Sequence, residues 1–278
     1  VYFTVDFDAF GANSGSPVIN QKNFEVEGVL VRGEYDFEWD NVSNCRRVKK
    51  CPLGSCKGED ATIVSESMIY PQKAVATTNG CSAFLVNTEK PTVVTNGHCV
   101  GRIPFGVEWK DKKKDKEFVF YSVTGKDQVV LNSDKILYAT MTNTDIAILS
   151  LNHTWHELAE YGLSGLRIYP ESLKENMEIQ RLERYPTFSK YNCLVEKIIP
   201  KLVESQWSWV ESFRHGCENW GGASGSPIID RNSGLLVGIH NTANEEGKSC
   251  TENNPCEIYT DGQVMVYPGK GYGQSIEK

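Results

Sequence analysis

Residues 11–20, GANSGSPVIN, and residues 221–230, GGASGSPIID, fall into register at an offset of 210, and the agreement outruns their shared Ser-Gly-Ser-Pro core. Gly28 in VEGVL falls on Gly238 in LVGIH, so the interval from serine to glycine is 14 residues in both stretches, with no gap. Further on, Cys45 and Cys51 are six apart, as are Cys250 and Cys256. A match of this length reads as a duplication, not as chance recurrence of turn residues. The copies differ in completeness: more than 150 residues with strand-like runs precede Ser224, but only 13 precede Ser14. Residues 1–60 are therefore expected to be the truncated C-terminal portion of an upstream domain, and residues 61–278 a complete one. Val1 in place of Met fits a processed product or a fragment.

Within the second unit, short β-rich runs (SAFLV, PTVVT, FVFYSV, QVVL, DIAILSL, SPIID, LLVGIH) are separated by polar, Gly or Asn turns. Helical signals are few; ESLKENME and HTWHELAEYG are the candidates. Many short strands without a βαβ rhythm predict an all-β barrel or sandwich.

The net charge of -7 argues against a nucleic-acid partner, which needs a basic face to neutralise phosphates. The one basic cluster, KDKKKDKE at 110–117, is interleaved with acids and reads as a solvated loop or hairpin tip. No apolar run approaches the ~18 residues that span a bilayer, and no signal peptide is evident. Nine cysteines are more than a cytosolic protein carries without a metal site, and disulfides in an oxidising, secreted or periplasmic compartment explain them more simply. Their odd number leaves at least one free or paired elsewhere.

Three stretches carry chemistry. VTNGHCV places His98 after a β-branched run, NTDIAILSL places Asp145 at the head of an apolar strand, and CENWGGASGSP places Ser224 in a glycine-rich turn. A serine hydroxyl is a poor nucleophile at neutral pH, so a histidine must take its proton and return it to the leaving group. A carboxylate behind the histidine fixes the tautomer and stabilises the imidazolium. The developing oxyanion needs preorganised N–H donors, for which Gly222 and Ser224 are the natural pair.

TNGHC, DIAIL and GxSGSP, in the order His, Asp, Ser, resemble the chymotrypsin-like serine endopeptidases of the trypsin fold, over most of 61–278. The resemblance implies two antiparallel β-barrels with few short helices, the incomplete β-rich segment preceding them. It also implies a cleft between the barrels and peptide hydrolysis through an acyl-enzyme, with His98 as base, Asp145 as its orienter, Ser224 as nucleophile and polypeptides as substrates. Neither cofactor nor metal is implied. Cys81 with Cys99 and Cys193 with Cys217 would match the family's bridges, and Cys250 with Cys256 would close a small loop. The repeat then suggests Cys45 with Cys51, leaving Cys56 without a partner in this chain. Ala223 stands where pancreatic-type enzymes keep an aspartate, and an Ile-Val-Gly-Gly start is missing, so the pattern is more similar to the bacterial branch that includes the glutamyl endopeptidases. The C-terminal YTDGQVMVYPGKGYGQSIEK is too glycine-rich to favour a closing helix.

In glutamyl endopeptidases a histidine matching His240 helps to bind an acidic substrate side chain. Glu218, six residues before Ser224, is near where trypsin-like enzymes keep a pocket aspartate and would favour Lys or Arg, so the two candidates point to opposite specificities. His153, His156 and Glu157 lack metal-site spacing and read as a surface helix. CRRVKKCPLGSC lacks a fourth zinc ligand and reads as disulfide chemistry. Ser14 has no histidine or aspartate of its own, and Leu30 takes the place of His240. The alternative to a peptidase is an inactive homologue that binds peptides in the same cleft. The sequence does not define an oligomeric state.

Overall fold

Alternation sets the strands. IAILSL, Ile146–Leu151, is buried at every second residue, whereas TVVT, Thr92–Thr95, is buried throughout, the difference between a strand with one covered face and one covered on both. The structure, a computed structural model, describes residues 2–5, 9–20, 26–50, 57–63, 71–121, 128–184 and 188–276. The chain divides into two units, Val1–Met68 and Ile69–Lys278.

The first unit contains β1 (Tyr2–Val5), β2 (Pro17–Ile19), β3 (Val26–Arg32), β4 (Phe37–Asp40), β5 (Cys45–Val48) and β6 (Glu59–Ile63). Four strands form an antiparallel sheet in the order β1-β6-β3-β2, and β4 with β5 forms a separate hairpin. Because β6 pairs with both β1 and β3, the strand that crosses the expected boundary at residue 60 belongs with the first unit. Leu30 and Ala61 are its buried hydrophobics among the described residues, while Phe10, Phe37 and Trp39 are about half exposed.

The second unit begins with β7 (Val75–Thr78), β8 (Cys81–Val86) and β9 (Thr92–Thr95), followed by a one-turn helix α1 (Gly97–Val100). Then come β10 (Glu108–Lys113), β11 (Glu117–Tyr121), β12 (Gln128–Thr140) and β13 (Ile146–Leu151). Strands β12, β11, β7, β8, β9 and β13 close through the β12–β13 ladder into a six-stranded barrel, with β10 added along β12. Phe84, Phe118, Phe120 and Leu149 are fully buried in its core. Each such side chain contributes about 2–3 kcal/mol by leaving water.

After α2 (Trp155–Glu160), the second barrel uses β14 (Glu178–Glu183) and β15 (Ser189–Ile199). Outside it lie β16 (Lys201–Glu204) and β17 (Trp207–Trp209). The barrel resumes with β18 (Ser212–His215), β19 (Pro227–Asp230) and β20 (Leu236–Ala243). The remaining strands are β21 (Cys256–Ile258), β22 (Val264–Met265) and β23 (Gly271–Ser275). The closed order is β14-β15-β18-β23-β20-β19, and β17-β16-β21-β22 form a side sheet. The protein is thus all-β, with two antiparallel six-stranded barrels, and the glycine-rich C-terminal stretch supplies β23 as a strand of the second.

The offset of 210 is carried into hydrogen-bonded register. Pro17 faces Val29 and Val18 faces Gly28, after which a shift brings Ile19 opposite Val26. Pro227 faces Ile239 and Ile228 faces Gly238, after which the same shift brings Ile229 opposite Leu236. The order β1-β6-β3-β2 parallels β18-β23-β20-β19. Phe3 and Phe213, again 210 apart, lie where a side chain at Gly28 or Gly238 would have to go, 2.7 and 2.9 Å from an added Cβ.

Three expectations change and one holds. KDKKKDKE is not a hairpin tip: its first half, Lys110–Lys113, lies in β10, an exposed charged strand added along β12, where lysines discourage further pairing, and only 114–116 form a loop before β11. ESLKENME is not helical; Asn176 adopts φ 65° and donates its N–H to Val195, and Met177 packs against the second-barrel core. HTWHELAEYG does contain α2, opened by a Thr154–Glu157 capping box, and His156 on it is exposed. Cys45 is a free, exposed thiol, so it does not bridge to Cys51. It opens β5, an exposed strand paired with β4. Cys51 and Cys56 lie outside the described residues. The other three bridges form: Cys81–Cys99, Cys193–Cys217 and Cys250–Cys256, with Cα separations of 6.1, 5.0 and 4.8 Å.

Candidate active site

Three loops at the ends of strands meet at one cavity of about 360 Å³, lined by His98, Asp145, Ser224, Gly222 and His240 among others. His98 sits on α1 directly after β9, and the Cys81–Cys99 bridge ties that turn to the start of β8. Asp145 immediately precedes β13 and is buried. It holds the histidine twice: His98 Nδ1 lies 2.6 Å from Asp145 Oδ2, and the His98 N–H donates to Oδ1 at 3.1 Å. Burial alone would lower the pKa of His98, but the charge and hydrogen bond of Asp145, with a contribution from Glu204, raise it above the ordinary value.

Side chains that no motif had marked hold Asp145. Gln274 Oε1 accepts from the Asp145 N–H at 2.5 Å and from Asn241 Nδ2 at 2.8 Å. Asn96 Nδ2 donates to the Asp145 carbonyl at 2.9 Å and to Asn241 Oδ1 at 2.7 Å. These amides come from positions 96, 241 and 274, so local spacing gave no signal. Asn96 and Asn241 do lie within the TNGHC and GIHN stretches that marked their neighbours.

Ser224 lies in the turn before β19. The Ala223, Gly225 and Ser226 N–H groups donate to Trp220, His240 and Ala223 respectively. Among the described residues, the Gly222 and Ser224 N–H groups have no such acceptor. This pattern leaves two N–H donors beside the Ser224 hydroxyl, the kind of pair an oxyanion site would need. Gly225 is forced by its setting: its φ is 83°, and a Cβ there would lie 2.1 Å from the Ser82 carbonyl. The Ser224 hydroxyl donates to the Asn241 carbonyl at 3.1 Å.

The first unit repeats this backbone. Asn13, Gly15 and Ser16 donate to Phe10, Leu30 and Asn13, and Ser14 Oγ donates to the Val31 carbonyl at 3.1 Å. Neither a histidine nor a carboxylate hydrogen-bonds Ser14 among the described residues.

Of the two specificity candidates, only His240 lines the cavity. Glu218 is exposed and does not, because Arg181 Nη2 grips its carbonyl at 2.6 Å while its carboxylate stays in solvent. Behind the cavity wall, Arg181 is fully buried, paired with Glu183 at 2.7 Å and stacked near the Tyr191 and Trp220 rings. His215 Nε2 lies 3.0 Å from His240 Nδ1. Burial, reinforced by the charges of Arg181 and Lys270, pushes His215 down to about 3. Burial, with His215 and Arg181, holds His240 well below its ordinary value, so both imidazoles are neutral at pH 7.

Comparison with known proteins agrees with this architecture. Residues 81–239, more than half of the chain, match the trypsin-like peptidase domain, and the chain belongs to that family. No curated protein sequence matches it. Similar solved structures include the MamO protease domain from Magnetospirillum magneticum in its apo form, at 14% identity and a TM-score of 0.49. That match covers 74% of this chain and 92% of that one. Another is the active form of the Rv3671c protease from M. tuberculosis, at 14% identity and a TM-score of 0.48, covering 75% and 78%.

Proposed function

We propose that the second unit is a serine endopeptidase that cleaves peptide bonds through an acyl-enzyme. Ser224 attacks the carbonyl, His98 takes its proton and returns it to the leaving amine, Asp145 holds the imidazole, and the Gly222 and Ser224 N–H groups receive the oxyanion. The observation that carries this reading is the pair of unclaimed N–H groups beside a serine that shares its cavity with the His98–Asp145 pair. The test is a fluorophosphonate probe: it should label Ser224 and lose its target in Ser224→Ala, whereas labelling at Ser14 alone, or at neither serine, overturns the assignment. No cofactor enters this reaction.

The primary pocket would take a side chain with an acceptor oxygen, Glu or Asp foremost, as in the glutamyl-endopeptidase branch. His215 Nδ1 is buried without a hydrogen-bond partner, and an orphan acceptor there costs less than an orphan N–H. His215 therefore carries its proton on Nε2 and donates to His240 Nδ1. His240 is left as the Nε2–H tautomer, a donor available to substrate. The second reading, a peptide-binding homologue without turnover, is favoured by one observation: the Ser224 hydroxyl points its hydrogen bond at Asn241, not at His98.

The three disulfides support an oxidising, secreted or periplasmic setting. Among the described residues no helix is long and apolar enough to cross a membrane. The register shared at an offset of 210 supports reading the first unit as a partial copy of the second barrel.

A further inference from the structure

The cavity is lined by two chemically different sets of residues. One is the Ser224 turn with the neutral His240. The other is Glu204, from the end of β16, with Trp207 and Trp209, from β17, and the exposed Glu245 and Glu252. Among the described residues no Lys or Arg lines the cavity.

Glu204 is only 7% exposed. Its Oε1 accepts the Asn253 N–H at 2.9 Å, but its Oε2 is buried with no hydrogen-bond partner, and the neighbouring Trp207 Nε1 is likewise unpartnered. A buried carboxylate oxygen left so is costly, and that cost is relieved when a cation arrives. Burial accordingly raises the Glu204 pKa, opposed in part by Thr242 and the Asn253 amide.

We propose that the part of the cavity lined by Glu204 is a subsite for a cationic side chain, Arg or Lys, of the polypeptide that Ser224 attacks. The inference deepens the endopeptidase reading and rests on it for the identity of the ligand. Three features select an organic cation over a metal ion. The carboxylates of Glu204, Glu245 and Glu252 do not gather their oxygens within 4.8 Å of one another. Glu204 is buried, whereas Glu245 and Glu252 are exposed. Indole rings flank the path, and a guanidinium is attracted to their faces.

Topology places the subsite on the amino-terminal side of the scissile bond. Strand β20 loses β19 as a partner after His240, yet continues to pair with β23 on its other side as far as Ala243. Thr242 and Ala243 thus offer a free backbone edge within the cavity, beside Glu204. A peptide added to that edge antiparallel, like every ladder in this barrel, runs from Ala243 toward Ser224 and brings its earlier residues past Glu204.

The test uses the full chain carrying Ser224→Ala, so that binding is read without turnover. Calorimetry compares two peptides that span the cleft and differ only in having Arg or its neutral isostere citrulline among the residues two to four before the scissile bond. The Arg peptide is expected to bind at least tenfold more tightly, with the advantage shrinking as salt is raised and vanishing in Ser224→Ala/Glu204→Gln. Equal affinity of the two peptides, binding of neither, or an Arg advantage that survives Glu204→Gln overturns the subsite. Fluorophosphonate labelling of the unmutated protein, run in parallel, reports on the hydrolytic reading separately. Should Glu204→Gln not fold, the Arg and citrulline comparison at Glu204 still decides.

Discussion

Ser224 Oγ and the Asn241 carbonyl oxygen are joined by a hydrogen bond of 3.1 Å, a bond the hydroxyl has to break before it can hand its proton to His98 in the proposed mechanism. Asn241 is also clamped by Asn96 and Gln274, which fixes the acceptor that Ser224 leaves. Ser224→Ala is expected to lower kcat by about a million-fold, and Ser14→Ala to leave it unchanged. Steady-state hydrolysis of a peptide substrate by the two variants checks this, and comparable losses would contradict the assignment.

His98 must be neutral to act as a base, so kcat/KM is expected to fall as pH drops through its raised pKa, with a midpoint above the ordinary 6.5. Asp145→Asn removes the main raising influence, and should shift that midpoint downward while lowering kcat by about 10⁴. Glu204→Gln should shift it the same way by less. A wild-type midpoint below 6.5 would be inconsistent with the environment described for His98.

The buried histidines make the fold acid-sensitive. His215 is neutral in the folded protein down to about pH 3, whereas in the unfolded chain it takes up a proton near 6.5. Its contribution to stability is therefore complete above pH 6.5 and is lost as pH falls from 6.5 toward 3, by up to about 1.4 kcal/mol per pH unit. Urea unfolding midpoints across that window should slope less steeply in His215→Gln. An unaltered slope would mean that another group governs the acid limb.

Two glycines in the nucleophile turn are expected to respond differently to alanine. Gly225→Ala combines a φ of 83° with a collision against the Ser82 carbonyl and should cost about 2 kcal/mol or more. Gly221→Ala meets nothing within 4 Å and should stay within about 0.5 kcal/mol. Denaturant titration of both variants checks the contrast.

Strands with strict alternation, such as β13, and the glycines fixed by close approach were legible because one neighbour or one period decides them. His98, Asp145 and Ser224 were legible because each sits in a short stretch whose chemistry is local. Glu204 was not: KLVE within PKLVESQWSW is an ordinary half-exposed strand until the side sheet folds its last residue into the cleft. Glu218 misled for the opposite reason, since its count from Ser224 is right but a buried Arg181 holds its backbone and leaves the carboxylate outside. Cys45 followed its repeat in spacing but not in backbone shape, because β5 is extended where Cys250 turns at φ 55°.

The bulged hairpins after Ser14 and Ser224 keep the same ladder and the same turn bonds, although among the described residues only Ser224 shares a cavity with a histidine and a carboxylate. The turn thus behaves as a self-contained cartridge that presents a hydroxyl and two amide hydrogens wherever the cassette of serine, proline and distant glycine is installed. Under the proposed mechanism, catalytic power is decided by what the rest of the barrel brings to that cartridge, which makes the histidine and aspartate loops, not the serine loop, the place where activity would be won or lost.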